Sequence, residues 1–458
     1  MMEMVLTREL LEEYFKIDNI IDYYHENKRG KNSVGIDKVN SRLFNENLNW
    51  YAKTINRKIM NGSYKFTPYK QKLISKGKSN TPRQISIPTI KDKITLGLLK
   101  EILHKKFLTD IYYETVHTII SDLESEIQDP HKDYFFKIDI SDFYGNIDHE
   151  KLFKKLRKRI RDKKLLKILK RSIKTPTVKE GSQKDKTVNT RGVPQGLPVS
   201  NILSSIYMNA LDDKYINRSD LIYKRFVDDI IIICNNKDSD AIYNEIVRDL
   251  TSKTTLDLII NPEKKDEGFV SNGFYYLGYF LDGTSTTIRK EAITNMKKSL
   301  ESIFVTIAHT YKKSNPNINF FLWQLNLRIT GSKYGGRKYG WLIFYSQISE
   351  DNEDIFHHLD WFVRKKLLQD RFKLQNLVDK NQIKRFTRAY NEIRKNFTNT
   401  RYLPNFDNYS HENKVDFIEG VLGKPTVDLS KERVDYIFNN TIYKEVNQLE
   451  KDIQGVSF

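Results

Sequence analysis

The stretch Tyr223-Lys224-Arg225-Phe226-Val227-Asp228-Asp229-Ile230-Ile231-Ile232-Ile233 decides the fold. Apolar residues flank a pair of adjacent aspartates, the pattern of two buried strands joined by a turn. Neighbouring carboxylates repel each other unless cations neutralise them. A second apolar run, Tyr134 to Ile140, lies upstream, and its segment Phe136-Lys137-Ile138-Asp139-Ile140-Ser141-Asp142-Phe143-Tyr144 sets Asp139 at the strand's end. Carboxylates beside buried strands are costly without a partner, and a divalent metal is one such partner. In isolation an Asp pair reads as an ordinary turn; the order and context of the two segments strengthen the case. Together they can hold two Mg²⁺ ions, one activating an attacking 3′ oxygen and the other stabilising a leaving pyrophosphate.

Working outward, a third strand-like run spans Phe274 to Phe280, and shorter β-like stretches cover Gln71 to Ile74 and Arg83 to Ile87, the latter ended by Pro88. The first 70 residues read as amphipathic helix, with Leu10, Leu11, Tyr14, Phe15 and Ile17 on one buried face. Lys91 to Phe107 is expected to be a helix carrying Ile94, Leu98, Leu99 and Ile102 on one side, weakened by Gly97. Lys151 to Lys174 is a basic helical stretch containing Lys154, Lys155, Arg157, Lys158, Arg159 and Arg161. Its apolar stripe is Leu152, Phe153, Leu156, Ile160, Leu165, Leu166 and Leu169. The charges are either a solvated face or a nucleic-acid contact. After Gly283 strand signals fade, and Ile293, Met296, Leu300, Ile303, Phe304 and Ile307 mark a long helix. A loop from Gly331 to Trp341 interleaves glycines, cations (Lys333, Arg337, Lys338) and aromatics. It is either a grip on a sugar-phosphate backbone or a surface turn with core aromatics.

Composition bounds the partner. Lys and Arg total 77 against 59 Asp and Glu, a formal charge of +18. That surplus points to a polyanion, bound in a salt-sensitive way. No apolar run approaches the roughly 20 residues that span a bilayer. Met1 to Lys16 lacks the basic-then-apolar order of a signal peptide. One cysteine, Cys234, excludes an internal disulfide and a cysteine-rich zinc site, and reads as a small buried strand residue. A reduced cytoplasm is the expected location, with no membrane partner.

The motifs resemble those of the reverse transcriptases. The segments around Asp139 and Phe226-Val227-Asp228-Asp229 are similar to that family's motifs A and C, and Arg191 to Ser200, containing Pro194-Gln195-Gly196, resembles motif B. Asn261-Pro262-Glu263-Lys264 resembles motif D, and Phe274-Tyr275-Tyr276-Leu277-Gly278-Tyr279 resembles the motif E primer grip. Arg83 to Lys93 resembles the finger motif, and Gly35-Ile36-Asp37 an element shared with group II intron and abortive-infection relatives. The resemblance implies an α+β right-hand polymerase: fingers and an antiparallel-sheet palm over 1–285, a helical thumb over 286–372, and an α-helical C-terminal extension over 373–458. It implies RNA-directed DNA polymerase activity, a nucleotidyl transfer to dNTPs with two Mg²⁺ per active site. Asp139 and Asp228 would be the main ligands, Asp229 an assisting ligand or an orienter, and Ile140 a further metal contact.

The same resemblance gives Arg83 to the triphosphate, Gln195 to the nucleotide sugar or base, and Gly196 to close backbone approach. Lys264 is either a proton donor to pyrophosphate or a surface lysine after a turn. Tyr144, five residues after Asp139, would abut the sugar C2′ and favour deoxynucleotides, or else it is core. Lys154, Lys158, Tyr276, Gly278, Arg337 and Lys338 are the expected nucleic-acid contacts, with an RNA template and cDNA product as partners.

No zinc-liganding cluster or His-Asn-His pattern follows the polymerase motifs, and Leu281 to Ser285 offers no retron-style signature. The block Leu325 to Leu368 instead resembles the defence-associated reverse transcriptases of the unknown groups. That implies an antiphage role and a dedicated non-coding RNA template. A retron or group II intron-like enzyme is the alternative, as is untemplated or protein-primed synthesis on a tail tyrosine (Tyr390, Tyr402, Tyr409, Tyr436, Tyr443). A non-enzymatic RNA-binding protein predicts damage at Asp139, Asp228 or Gln195, and all three are intact.

Overall fold

The computed structural model describes residues 7–27, 34–74, 82–181, 187–311, 316–369, 372 and 374–453. The first six residues of the amino-terminal stretch and position 373 lie outside the described residues. The chain divides into two units, Met1–Glu114 with Tyr134–Glu267, and Thr115–Asp133 with Gly268–Phe458.

The first unit holds strands β1 (Tyr69–Ile74), β2 (Arg83–Ile87), β3 (Tyr134–Ser141), β4 (Thr177–Val178), β5 (Leu221–Phe226), β6 (Asp229–Cys234) and β7 (Ile259–Ile260). One sheet runs β2-β1-β4, in which only the β1–β4 pair is parallel. The other runs β5-β6-β3-β7 and is antiparallel throughout, with β8 (Asp266–Phe269) also pairing with β3. Strand β6 is central, so Ile230 to Cys234 are all fully buried. That explains an unbroken apolar run where a half-exposed strand would alternate. Cys234 is a buried thiol at its end, as its sequence context suggests. The helix Ser239–Thr251 packs on β3 through Ile242, Ile246 and Leu250, at a spacing of four residues.

The amino-terminal helices Thr7–Tyr14, Ile17–Asn27 and Leu48–Met60 and the helix Ile90–Phe107 share one core with this sheet. Leu10, Leu11 and Phe15 lie inside it, while Tyr14 and Ile17 flank it. Gly97 has a packing reason: a Cβ there would lie 1.9 Å from the Tyr23 hydroxyl. The buried Asp92 carboxylate accepts from the Tyr64 hydroxyl at 2.8 Å, the Thr89 hydroxyl at 2.8 Å and the Thr67 amide at 3.0 Å. Gly35 brings the segment Gly35-Ile36-Asp37 onto Thr89, where a Cβ would meet the backbone at 2.7 Å.

The basic stretch is two helices, not one: His149–Leu156 and Lys163–Lys174. Asp162 caps the second, accepting from the Leu165 amide at 2.7 Å, and this local cap overrides the continuous stripe. Arg159, in the break, forks onto Asp110 with both contacts at 2.7 Å.

The second unit opens with the helix Val116–Glu126 and the antiparallel strands β9 (Phe274–Tyr276), β10 (Tyr279–Leu281) and β11 (Thr286–Ile288). By their contacts β9–β11 group with the helical chain beyond them. The Tyr279 hydroxyl donates to the Phe344 carbonyl at 2.5 Å, and the Thr286 amide to Ser349 Oγ at 2.7 Å. The segment Gly331 to Trp341 is a β-ribbon, not a loop: β12 (Ser332–Tyr334) and β13 (Arg337–Tyr339) flank Gly335-Gly336. Both glycines have positive φ, as a two-residue hairpin turn requires, and both amides donate to the Asp407 carboxylate at 2.7 and 2.8 Å.

Helices Lys290–Tyr311, Ile318–Thr330, Asp354–Leu367, Phe386–Lys395 and Lys431–Ile453 make up most of the rest. The last buries Val434, Phe438, Ile442, Val446 and Leu449 in a cluster with Leu327, Phe406 and Phe417. Arg328 on the helix Ile318–Thr330 pairs with Asp452 at 2.8 Å, both side chains 10% exposed or less. No described helix is long and apolar enough to cross a membrane.

Candidate active site

The β3–β6 register places Asp139 directly opposite Asp229, while Phe226 opposes Asp229 across the β5–β6 pair. Residues 227 and 228 are left as a two-residue turn, so Asp228 stands beside the Asp139–Asp229 pair. Val227 has φ +60°, a conformation that a β-branched residue rarely adopts. Asp142, at φ +40°, is the left-handed residue that leads from β3 into the short helix Phe143–Asn146, which carries Tyr144. The Val193 amide donates to the Tyr144 carbonyl at 2.8 Å.

Charges converge here. Burial raises the Asp229 carboxyl pKa, Lys137 pulls it down, and Asp228 and Asp139 raise it further, to about 6. Lys137 lies two residues before Asp139 on β3, hence on the same face, and its Nζ also contacts Asp266 at 2.6 Å. Lys264, in the turn Pro262–Lys264, sets its Nζ 3.2 Å from Asp139 Oδ2 and 3.4 Å from Oδ1, so a cation already sits on that carboxylate. The Asn261 amide donates to the Asp139 carbonyl at 3.0 Å, which fixes the lysine's approach. Ile140, next on β3, is buried and pairs with Ile260, leaving only its backbone to meet a metal.

This donor set fits a hard divalent cation: oxygen ligands only, mutually repelling, with the Asp229 carboxyl held above its ordinary pKa first by burial and then by its two neighbours. Among the described residues, however, no three His, Cys, Asp or Glu side chains already close on one metal point. The set is open, and substrate oxygens would have to complete it.

Tyr144 is half-buried and its hydroxyl donates to Asn201 Oδ1 at 2.8 Å. Burial raises its pKa, a hydrogen bond with Ser204 lowers it, Asp228 raises it, and Arg83 and Arg225 lower it. Asp228 and Arg83 of β2 are thus near enough to act on the Tyr144 hydroxyl through their charge. Gln195 is half-buried, and its carbonyl accepts from the Ser86 amide at 2.7 Å. The close approach expected at Gly196 is taken by β2: at φ +95° a Cβ would lie 2.7 Å from Ile85 Cγ2 and 3.0 Å from the Ser86 carbonyl.

The expected nucleic-acid contacts divide. Lys154 and Lys158 are exposed, whereas Lys155 turns inward to the Tyr207 carbonyl, and burial lowers its pKa to about 8. In the second unit Arg337 and Lys338 are exposed, with Lys338 Nζ 4.0 Å over the Phe397 ring. Tyr276 is a correction: it is 2% exposed, so its ring is core, and strand alternation presents Tyr275 instead, at 41%. Gly278, at φ +85°, forms the turn between β9 and β10. Of the tail tyrosines, Tyr390 is 2% exposed and Tyr436 52%.

Sequence reasoning missed Asn201, Lys137 and the buried pair Asp212–Arg225. The signal for Arg225 was present, since a cation inside the apolar run Leu221 to Phe226 demands a buried acid.

Residues 74–281 match the family described as "Reverse transcriptase (RNA-dependent DNA polymerase)". Over those residues, less than half of its length, the chain is similar to a reverse transcriptase domain. Among curated proteins it is 24% identical to protein YkfC of Escherichia coli strain K12 over 348 residues, 66% of this chain and 87% of that one. It is 27% identical to the group II intron-encoded protein LtrA of Lactococcus lactis over 168 residues, 35% of this chain and 27% of LtrA, so it spans only about a quarter of that relative. Telomerase of Candida albicans, solved with a fragment of telomeric RNA, aligns over 91% of this chain and 65% of its own, with TM-score 0.44 and 14% identity.

Proposed function

We propose that this chain copies RNA into DNA by metal-assisted nucleotidyl transfer, on a dedicated non-coding RNA, in bacterial antiphage defence. The observation that carries the catalytic part is the register of Asp139 against Asp229 with Asp228 on the adjoining turn. Two bound Mg²⁺ ions would supply charge neutralisation at the attacking and leaving oxygens. Asp139, Asp228 and Asp229 hold them, with the Ile140 carbonyl as a further contact. Arg83 forks onto triphosphate oxygens, and Lys264 leaves Asp139 to give a proton to pyrophosphate. The Tyr144 ring blocks a ribose 2′-hydroxyl, and Gln195 meets the sugar or base. In right-hand terms residues 1–285 hold the fingers and the palm, with the β5-β6-β3-β7 sheet in the palm, residues 286–372 are the thumb, and 373–458 the extension.

Lys154, Lys158, Arg337 and Lys338 contact phosphates, which give affinity without reading sequence. The defence role rests on the resemblance of Leu325 to Leu368 and on that alone.

The test is purification from cells carrying the native flanking DNA, followed by sequencing of bound RNA and attached cDNA, alongside an Asp228→Ala/Asp229→Ala variant. One co-purifying RNA, with matching cDNA only from the intact protein, is the expected result. DNA without matching RNA would point to untemplated or protein-primed synthesis, and no DNA from either would overturn the proposal.

A further inference from the structure

The turn that presents Asp228 is strained, and something must hold it. Val227 occupies the left-handed region without being glycine, and such conformations persist only where the surroundings over-determine them. The Arg225 guanidinium is 3% exposed and has one N–H on that turn: Nη1 donates to the Val227 carbonyl at 2.7 Å. Its other edge forks onto Asp212, Nε to Oδ1 at 2.7 Å and Nη2 to Oδ2 at 2.5 Å. Asp212 is 1% exposed, lies on the helix Ser200–Tyr215, and also accepts from the Tyr223 hydroxyl at 2.8 Å. The Tyr112 ring lies 5.9 Å from the guanidinium.

A buried ion pair is a poor source of stability, because desolvation offsets its attraction. Its geometry here serves another end. The planar fork is locked by a carboxylate on a helix, and an Nη1 N–H of the same plane is fixed on the carbonyl of the strained residue. Lysine has three donors but on one flexible point charge, so it cannot form the planar fork that ties the Asp212 carboxylate and the Val227 carbonyl in one fixed geometry.

We infer that Asp212 and Arg225 form a positioning brace that holds Val227 in its left-handed conformation and so fixes Asp228. The inference rests on the catalytic reading of Asp228 for its consequence, but the brace itself is testable without metal or substrate. Neither residue is a catalytic residue in this account, since neither reaches the reacting atoms.

The test removes the pair as a unit, so that no charge is left buried alone. Asp212→Leu/Tyr223→Phe/Arg225→Met replaces it with apolar groups, a change that folded proteins often tolerate. Arg225→Lys is the second variant, keeping a cation beside Asp212 while losing the fork. Amide hydrogen exchange over residues 226–230 of the metal-free protein reads the turn directly, and Mn²⁺ binding and dNTP incorporation read its consequence. Both variants should exchange faster there, bind Mn²⁺ more weakly, and lose incorporation on the order of 10–100-fold. Adding Val227→Gly, which suits positive φ without a brace, should recover most of that loss.

Unchanged exchange and incorporation in both variants, or no rescue by glycine, would overturn the inference. Faster exchange with unchanged Mn²⁺ binding and incorporation would leave the brace standing and contradict the catalytic reading of Asp228 instead.

Discussion

Asp229 is the residue where fold and chemistry pull hardest against each other. Its carboxyl sits at about 6 because burial and the charges of Asp228 and Asp139 outweigh Lys137. The native state thus holds that proton more tightly than the unfolded chain, whose ordinary value is 3.8. The stabilisation is full below the unfolded value and is lost as pH rises through about 6. Asp229→Asn should therefore melt above the wild type at pH 7 in the presence of a chelator, and the gap should close as pH falls. Each kcal/mol corresponds to about 2–4 °C in a unit of this size. A melting temperature that does not move, or that falls, would contradict the burial and crowding of the Asp229 carboxyl described here.

Asn201 supports a second prediction at this scale. If its contact with the Tyr144 hydroxyl sets the ring, then Asn201→Ala and Tyr144→Phe should weaken selection of dNTPs over rNTPs by similar factors, and the double variant no further. Additive losses would separate the two residues. Asn201 was invisible in the sequence because its role depends on contact across 57 positions, which no local pattern encodes.

At the scale of elements, legibility depends on whether a segment's pattern is answered locally. The run Tyr223 to Ile233 and the strand Arg83 to Ile87 were legible because their apolar content and bounding turns agree with their burial. Strand β6 is buried on both faces, so Ile232→Ala should cost about 2–5 kcal/mol in chemical denaturation; a loss under about 1 kcal/mol would mean that this strand is not central. The ribbon β12–β13 was misread because Gly335-Gly336 and the cations around it suit a loop as well as a hairpin, and three-residue strands carry too little alternation to decide. The basic stretch was read as one helix because its stripe continues through the break; the Asp162 cap is the local feature that ends it. Tyr276 and Tyr275 show how one step of register changes a candidate contact into core.

Over the whole molecule, the charge of +18 carries a prediction of its own. Binding to single-stranded RNA should weaken steeply with salt, log K falling by about 0.7 per phosphate contact for each tenfold rise. Filter-binding across a salt series measures that slope, and a slope near zero would remove phosphate contacts from the mechanism. Within the second unit, Leu327 packs with Phe438 and Arg328 pairs with Asp452, joining segments more than a hundred residues apart. Such long-range packing leaves no mark in local composition.

The measurement that bears most directly on the central claim is incorporation of dTTP on poly(rA) primed with oligo(dT), with Mg²⁺, by the intact protein and by Asp228→Asn. Primer extension is expected from the former and a loss of more than about a hundredfold in the latter, with its melting temperature no lower than the wild type's. Equal extension by both, or none by the intact protein, would contradict the assignment of Asp228 to catalysis.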